Sequence, residues 1–298
     1  MRAAKLILVL LVTALLFGQD PPALPRASIR VDTNLVLVPV TVIDQAGRMV
    51  TGLDPEDFQV FEDGVQQKLA SFGSEDAPLS IGIVLDTSGS MGNKLTISRA
   101  AVGEFFRSAN PEDEAFLVEF NNQPELVTPF THDLGEIESR IMFTRSKGQT
   151  ALLDGITLSI AQMKKAAHPR KALILVSDGG DNHSRYTEAE VRNRVKESDV
   201  QIYAMGIFSG GGDINDDPDL LNRLATLTGG RHFETSLRDM ADVAEKIGIE
   251  LRNTYLLGYM PANIRRDGKY RAITVKVAAR GVGKLTASWR RGYFAPTQ

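Results

Sequence analysis

The sequence predicts an α/β protein in which a doubly wound, mostly parallel sheet is inserted between two groups of antiparallel strands. Three apolar runs of strand length, 81–85, 171–177 and 200–208, alternate with amphipathic helical segments. Strands that are apolar on both faces are typical of parallel sheets covered by helices. The flanking segments instead show alternating apolar residues and an Asp-Gly turn, which are typical of antiparallel strands.

The chain begins with a short apolar segment that predicts export. Arg2 and Lys5 precede the apolar run 6–17, which a Pro-rich stretch follows. This pattern predicts a signal peptide over residues 1–18 and a linker over 19–27. An uncleaved membrane anchor is the alternative, although so short a run spans a bilayer of about 30 Å poorly. Since no later apolar run approaches that length, we expect a mature chain without a membrane span, exported to the periplasm or the exterior.

The N-terminal β segment is predicted over residues 28–77. One face of its first strand carries four valines, namely Val36, Val38, Val40 and Val42. A second strand near Phe58 ends at Asp63-Gly64, a strong hairpin signal, and the run 67–72 is predicted as its return strand.

The α/β region is predicted over residues 78–252 because its periodicity alternates between strand and helix. Amphipathic stripes predict helices, and a capping box at Thr187 and Glu190 marks the start of one of them. The predicted helices cover 95–106, 134–141, 152–163, 187–196, 218–227 and 240–251. Between them, shorter strands are predicted at 115–120, 126–130 and 231–234. Such alternation with short links favours a doubly wound sheet.

The C-terminal segment, 253–298, returns to the antiparallel pattern, with strands predicted at 255–259, 270–278 and 284–289. So few strands on either side of the α/β region make a poor core by themselves. We therefore predict that the two terminal segments form one small antiparallel β-sandwich.

Composition excludes several classes of site. The 298 residues include no cysteine and carry a formal net charge of −3. Disulfides, thiolate metal sites and cysteine nucleophiles are therefore absent. A charge so close to neutrality gives no support to nucleic-acid binding, which requires a strong basic excess.

A loop rich in oxygen ligands follows the first buried strand. Asp86, Ser88 and Ser90 alternate there, so an extended loop directs three oxygens roughly one way. Oxygen-only ligands suit a hard cation such as Mg²⁺. Capping of the next helix is an equally good explanation of this stretch alone.

Two further polar loops strengthen the metal hypothesis. Thr150 lies just before a predicted helix, and Asp178 directly follows the second buried strand. With Asp-x-Ser-x-Ser at 86–90, this region of about 175 residues resembles a von Willebrand factor A domain. The resemblance implies a metal-ion-dependent adhesion site at five residues: Asp86, Ser88, Ser90, Thr150 and Asp178. It further implies Mg²⁺, or Mn²⁺ or Ca²⁺ in its place, with one position left for an Asp or Glu carboxylate of a protein partner.

The flanks resemble exported bacterial VWFA-related proteins of the kind abundant in Acidobacteria-like genomes. The residues that carry this likeness are 53–64, 255–259 and 290–293. This second likeness concerns architecture more than purpose. From the von Willebrand factor A resemblance, our first hypothesis is a non-enzymatic adhesion module that binds a protein partner through a bridging divalent cation. A metal-stabilised structural envelope protein remains an alternative, and a phosphotransferase using Asp86 as nucleophile is a weaker one. That chemistry usually needs a carboxylate two residues further on, where this chain has Ser88.

Asp154 lies four residues after Thr150, on the same face of the predicted helix. We predict that it is a helix-surface acid, with a hydrogen bond near the metal site as the alternative.

Overall fold

The computed structural model describes residues 35–74, 77–207, 217–279, 281 and 283–297. The predicted signal peptide, the linker and residues 28–34 of the N-terminal β segment lie outside the described residues. Phe208, the predicted end of the third buried strand, does so too.

Within residues 35–74, four strands precede the α/β region, and a short 3₁₀ helix at Pro55–Asp57 lies between the first two. They are β1 (Val36–Ile43), β2 (Phe58–Glu62), β3 (Val65–Gln67) and β4 (Leu69–Gly73). The valine face of β1 is buried, as its alternation predicts. Asp63 and Gly64 both adopt positive φ angles, which the tight turn between β2 and β3 requires.

The predicted return strand 67–72 is wrong as a single element. The hairpin partner of β2 is β3, and the chain then leaves that sheet at Lys68. The next strand, β4, pairs with a C-terminal strand in the opposite sheet. Both strands are short and largely exposed, so the hydrophobic pattern does not mark the break between them.

A six-stranded sheet forms the centre of the α/β region. Its strands are β5 (Leu79–Asp86), β6 (Glu114–Phe120), β7 (Pro124–Thr131), β8 (Arg170–Ser177), β9 (Gln201–Ile207) and β10 (His232–Thr235). They are ordered β10-β9-β8-β5-β6-β7, and only β7 runs antiparallel to its neighbour. Every residue of β5 is buried, which agrees with its unbroken apolar run.

In the part of the α/β region that the structure describes, six helices cover this sheet on both faces. They are α1 (Leu95–Arg107), α2 (Leu134–Phe143), α3 (Leu152–Met163), α4 (Glu188–Glu197), α5 (Pro218–Thr228) and α6 (Met240–Arg252). One core packs α1, α2 and α6 against the sheet, and a second packs α3, α4 and α5 against its other face. The capping box predicted at Thr187 and Glu190 is present at the start of α4. None of the helices within the described ranges is long and apolar enough to cross a membrane.

The last four strands return to the N-terminal ones. They are β11 (Tyr255–Tyr259), β12 (Tyr270–Val277), β13 (Thr286–Trp289) and β14 (Gly292–Phe294). One antiparallel sheet has the order β13-β1-β11-β4 and the other β14-β12-β2-β3. Their facing side chains form a third core from residues of both termini. The predicted fold class is therefore confirmed, whereas the limits 28–77, 78–252 and 253–298 stay a prediction.

Gly82 allows β5 to lie between two large side chains. A Cβ at this position would lie 2.4 Å from Phe116 Cζ and 2.5 Å from Leu173 Cδ2, both in a buried core. Because both side chains are almost fully buried and must shift to admit the methyl group, we expect Gly82→Ala to lower the free energy of unfolding by about 1–3 kcal/mol in urea titrations.

The matched control is Gly103→Ala on α1, where a Cβ meets only Glu138 at an ordinary 3.7 Å. Alanine is the better helix former, so this control is expected to raise stability by roughly 0.5–1 kcal/mol. Equal effects of the two substitutions would contradict the packing explanation.

Candidate metal centre

Asp86 is the last residue of β5, and its carboxylate is held at both oxygens. The Ser88 backbone N–H donates to Oδ1 at 2.8 Å, and the Ser177 hydroxyl donates to Oδ2 at 2.7 Å. Ser177 lies at the end of the neighbouring parallel strand, β8. The loop after β5 then places the Ser88 and Ser90 hydroxyls 3.0 Å apart. Asp86 and Ser88 are buried, whereas Ser90 is exposed, so the cluster reaches the surface through Ser90.

The loop that carries Thr150 is hydrogen bonded to the Asp86 loop. The Gly89 N–H donates to the Gly148 carbonyl at 3.0 Å, and the Lys147 N–H donates to the Thr87 carbonyl at 2.8 Å. Gly148 has a φ of +77°, and a Cβ there would lie 2.5 Å from Asn122 Oδ1. A residue other than glycine therefore fits this junction poorly.

The third loop begins at Asp178 and fixes the backbone of Thr150. The Thr150 N–H donates to Asn182 Oδ1 at 2.9 Å. In return, the N–H groups of Asn182 and His183 donate to the Thr150 carbonyl at 3.0 and 3.1 Å. Asp178 and Thr150 are both buried. The structure thus brings the loops of all five predicted ligand residues together at the carboxyl end of β5 and β8.

Two buried carboxylates at this edge of the sheet, those of Asp86 and Asp178, repel each other. Burial, together with the nearby charge of Asp178, raises the pKa of Asp86 to about 6, although the hydrogen bonds from Ser88 and Ser177 oppose the rise. The Lys94 ammonium lies 3.1 Å from Asp178 Oδ2, in a pair whose two side chains are almost completely buried.

The donor set fits a hard divalent cation. Two carboxylates and three hydroxyls are all oxygen ligands, which Mg²⁺ prefers, and this ion keeps waters at its remaining positions. Within the part of the chain that the structure describes, no three His, Cys, Asp or Glu side chains are grouped to hold a metal. A centre here therefore depends on the serine and threonine hydroxyls.

Three residues around the cluster were not predicted from the sequence: Lys94, Ser177 and Asn182. A signal did exist for Lys94, because it lies at the amino end of α1, where cations are unfavourable. In the sequence, Ser177 is the last residue of a predicted strand and Asn182 looks like an ordinary loop residue, so only the folded structure gives them a role.

The prediction that Asp154 is a surface acid is wrong. Its side chain is buried and accepts backbone N–H groups of Arg185 at 2.9 Å and of Tyr186 at 3.1 Å. The Arg185 guanidinium adds an ion pair at 3.1 Å. Asp154 therefore anchors the loop that follows Asp178 to the first turn of α3, which is the alternative interpretation.

Comparison with known proteins agrees with this architecture. A sequence profile described as von Willebrand factor type A domain matches residues 81–180. An uncharacterized protein of Borreliella burgdorferi is 27% identical over 143 residues, which are 45% of this chain and 42% of that protein. The chain thus matches less than half the length of this relative.

Among solved structures, a von Willebrand factor type A protein from Catenulispora acidiphila superposes with a TM-score of 0.51. The match covers 90% of this chain and 75% of that one, at 12% identity. An aerotolerance-related membrane protein from Bacteroides fragilis gives a TM-score of 0.50 at 14% identity, over 58% of this chain and 98% of that one. At these identities the likeness concerns the fold. The chain therefore contains a von Willebrand factor type A domain, built on the six-stranded sheet that carries the Asp86 loop.

Proposed function

We propose that this protein binds a protein partner through a divalent cation, with Mg²⁺ as the favoured ion. Asp86, Ser88, Ser90, Thr150 and Asp178 would hold the cation, and an Asp or Glu carboxylate of the partner would complete its shell. The observation that carries the proposal is the convergence of two buried carboxylates with the Ser88 and Ser90 hydroxyls beneath an exposed position.

The charges at the cluster favour capture of an anionic group. Lys94 compensates one of the two carboxylates, and the hydroxyl ligands are neutral. A divalent cation held there keeps an excess of positive charge, because only one negative charge remains to offset it. An external carboxylate supplies the missing negative charge, and charge-assisted contacts of this kind are among the stronger polar interactions.

A non-enzymatic role accounts for the Asp86 loop better than phosphoryl transfer does. Both oxygens of Asp86 accept hydrogen bonds within the protein, from Ser88 and from Ser177. The residue two positions further on is Ser88, which serves a metal ion but does not act as a general acid or base for a nucleophilic aspartate.

We further propose that the mature protein acts outside the cytoplasm, in the periplasm or the exterior. The support for this proposal is the apolar segment that follows Arg2 and Lys5.

The test is capture of envelope proteins by the immobilised protein in Mg²⁺, in EDTA, and in EDTA followed by excess Mg²⁺. We expect capture that EDTA abolishes and Mg²⁺ restores, and that a short peptide containing Asp inhibits. Ser90→Ala should weaken capture about tenfold, since it removes one exposed metal ligand.

Asp242→Asn is the matched control, because Asp242 is an exposed acid on α6. It should leave capture unchanged. If EDTA lowers the melting temperature while capture persists, the metal only stabilises the loops, and the structural alternative replaces the binding function.

A further inference from the structure

A second candidate site lies at the opposite end of the sheet from the Asp86 loop. A cavity of about 310 Å³ opens between the β-sandwich and the amino end of β9. Asp199, which lies just before the amino end of β9, lines this cavity. Asp178 of the candidate metal centre instead follows the carboxyl end of β8, which runs parallel to β9. Seven strand residues span roughly 20 Å, so the cavity and the candidate metal centre are separate.

Positive charge dominates the wall of the cavity. Among the described residues, its lining includes three arginines, Arg265, Arg266 and Arg290, and one acid, Asp199. Asp199 is already paired with the Lys171 ammonium at 2.9 Å. An anion entering the cavity would therefore meet the guanidinium groups of Arg265 and Arg290, beside an acid that Lys171 already engages.

Arg290 is the group that points most directly to a ligand. Its Nε atom is buried and has no hydrogen-bond partner among the described residues. The guanidinium carbon lies 5.5 Å from the centre of the Tyr293 ring, which offers only the weak attraction of an aromatic face. Burial lowers the pKa of Arg290, and the charge of Asp199 opposes this. A buried donor without a partner costs free energy that a bound acceptor recovers.

Most of the remaining wall is apolar, although Asn263 and Tyr293 also line it. It includes Leu35, Pro261, Ile264, Phe294 and Pro296. Ile264 is 78% exposed and Leu35 is 37% exposed, so both offer apolar surface that the described residues leave uncovered. The volume is at the lower end of the range for small-ligand sites, in which an apolar lining with a few polar groups is usual.

We infer that this cavity binds a carboxylate attached to a short apolar group, with the carboxylate at Arg290 and Arg265 and the apolar group against Leu35 and Ile264. A planar carboxylate matches the fork of donors on a guanidinium. The apolar wall explains why a bare inorganic anion is the poorer occupant. Two sources offer this chemistry: a free aliphatic acid and the C-terminal residue of a peptide.

Calorimetric titration of the whole protein with hexanoate and with N-acetyl-leucyl-leucine tests the inference. We expect at least one acid to bind, and the tighter of the two identifies the source. Hexanamide and the peptide amide should bind at least about tenfold more weakly, because they lack the charge. Inorganic phosphate should also bind more weakly than the preferred acid.

Arg290→Met should weaken binding of the preferred acid about tenfold, and Arg265→Gln should weaken it severalfold. Arg265 is exposed, so its substitution keeps the test valid if Arg290→Met folds poorly. Arg238→Gln, which removes an exposed charge beyond β10, is the control and should change nothing. The inference fails if neither acid binds at millimolar concentration, if the amides or phosphate bind as tightly, or if Arg265→Gln and the control behave alike.

Discussion

Asp86→Asn is expected to abolish magnesium binding and, without metal, to make the protein more stable than the wild type at pH 7. The reason is that this buried carboxylate has a pKa of about 6 in the folded protein, well above its ordinary value of 3.8. Keeping it ionised at pH 7 therefore costs up to roughly 3 kcal/mol. Asparagine has the same shape, carries no charge, and leaves an oxygen that accepts the Ser88 N–H.

The sign of the pH dependence follows from proton binding. Between about pH 4 and pH 6 the folded protein holds the Asp86 proton, whereas the unfolded chain has released it. The contribution of Asp86 to stability is therefore present below pH 4 and is lost as the pH rises to 6. Urea unfolding of both proteins in EDTA, from pH 4 to pH 7.5, measures the difference between their free energies of unfolding.

Other carboxyl groups with raised pKa values, among them Glu119, Asp181 and Glu250, titrate in both proteins and cancel in this difference. A difference that does not vary with pH would contradict the electrostatic explanation. Magnesium should stabilise the wild type more at pH 7 than at pH 5, because the cation competes with the Asp86 proton. Equal magnesium binding by wild type and Asp86→Asn in a calorimetric titration would refute the metal centre itself.

The sequence predicted the α/β layer well because its strands and helices have unambiguous periodicity. The runs that became β5, β8 and β9 are apolar over most of their length, and each helix shows an apolar stripe. The sandwich was harder to predict. The break at Lys68 depends on which strand each short segment pairs with, and the chain changes sheets again between Trp289 and Gly292. Pairing between segments this distant in sequence leaves no periodic signal.

Some residues of the candidate site were likewise predictable from the sequence, and others were not. Asp86, Thr150 and Asp178 each follow or precede an element that the sequence marks clearly, so their meeting at one edge was predictable. Lys94 was not recognised, and Asp154 was predicted on the helix surface, because their roles arise from charges and loops that approach only in the folded chain. Both residues depart from the usual preferences of helices. Lys94 is a cation at the amino end of a helix, and Asp154 is an acid that is buried within one.

Lys94→Met is expected to destabilise the metal-free protein by about 3–5 kcal/mol, since breaking a buried pair leaves the Asp178 charge uncompensated. The same substitution should strengthen magnesium binding about tenfold or more, because it removes a positive charge from beside the cation. Magnesium should therefore raise the melting temperature of Lys94→Met more than that of the wild type. Lys246→Met, on the exposed face of α6, is the control and should show neither effect.

The double variant Lys94→Met/Asp178→Asn separates charge from packing. It contains neither charge of the pair, so in EDTA it should recover most of the stability that Lys94→Met loses. It also lacks a carboxylate ligand, so magnesium should no longer rescue it. If Lys94→Met instead binds magnesium more weakly than the wild type, then Lys94 orients Asp178 for the metal and does not compete with it. Lys94 would in that case be a positioning residue, and the excess positive charge proposed to attract a partner carboxylate would need another source.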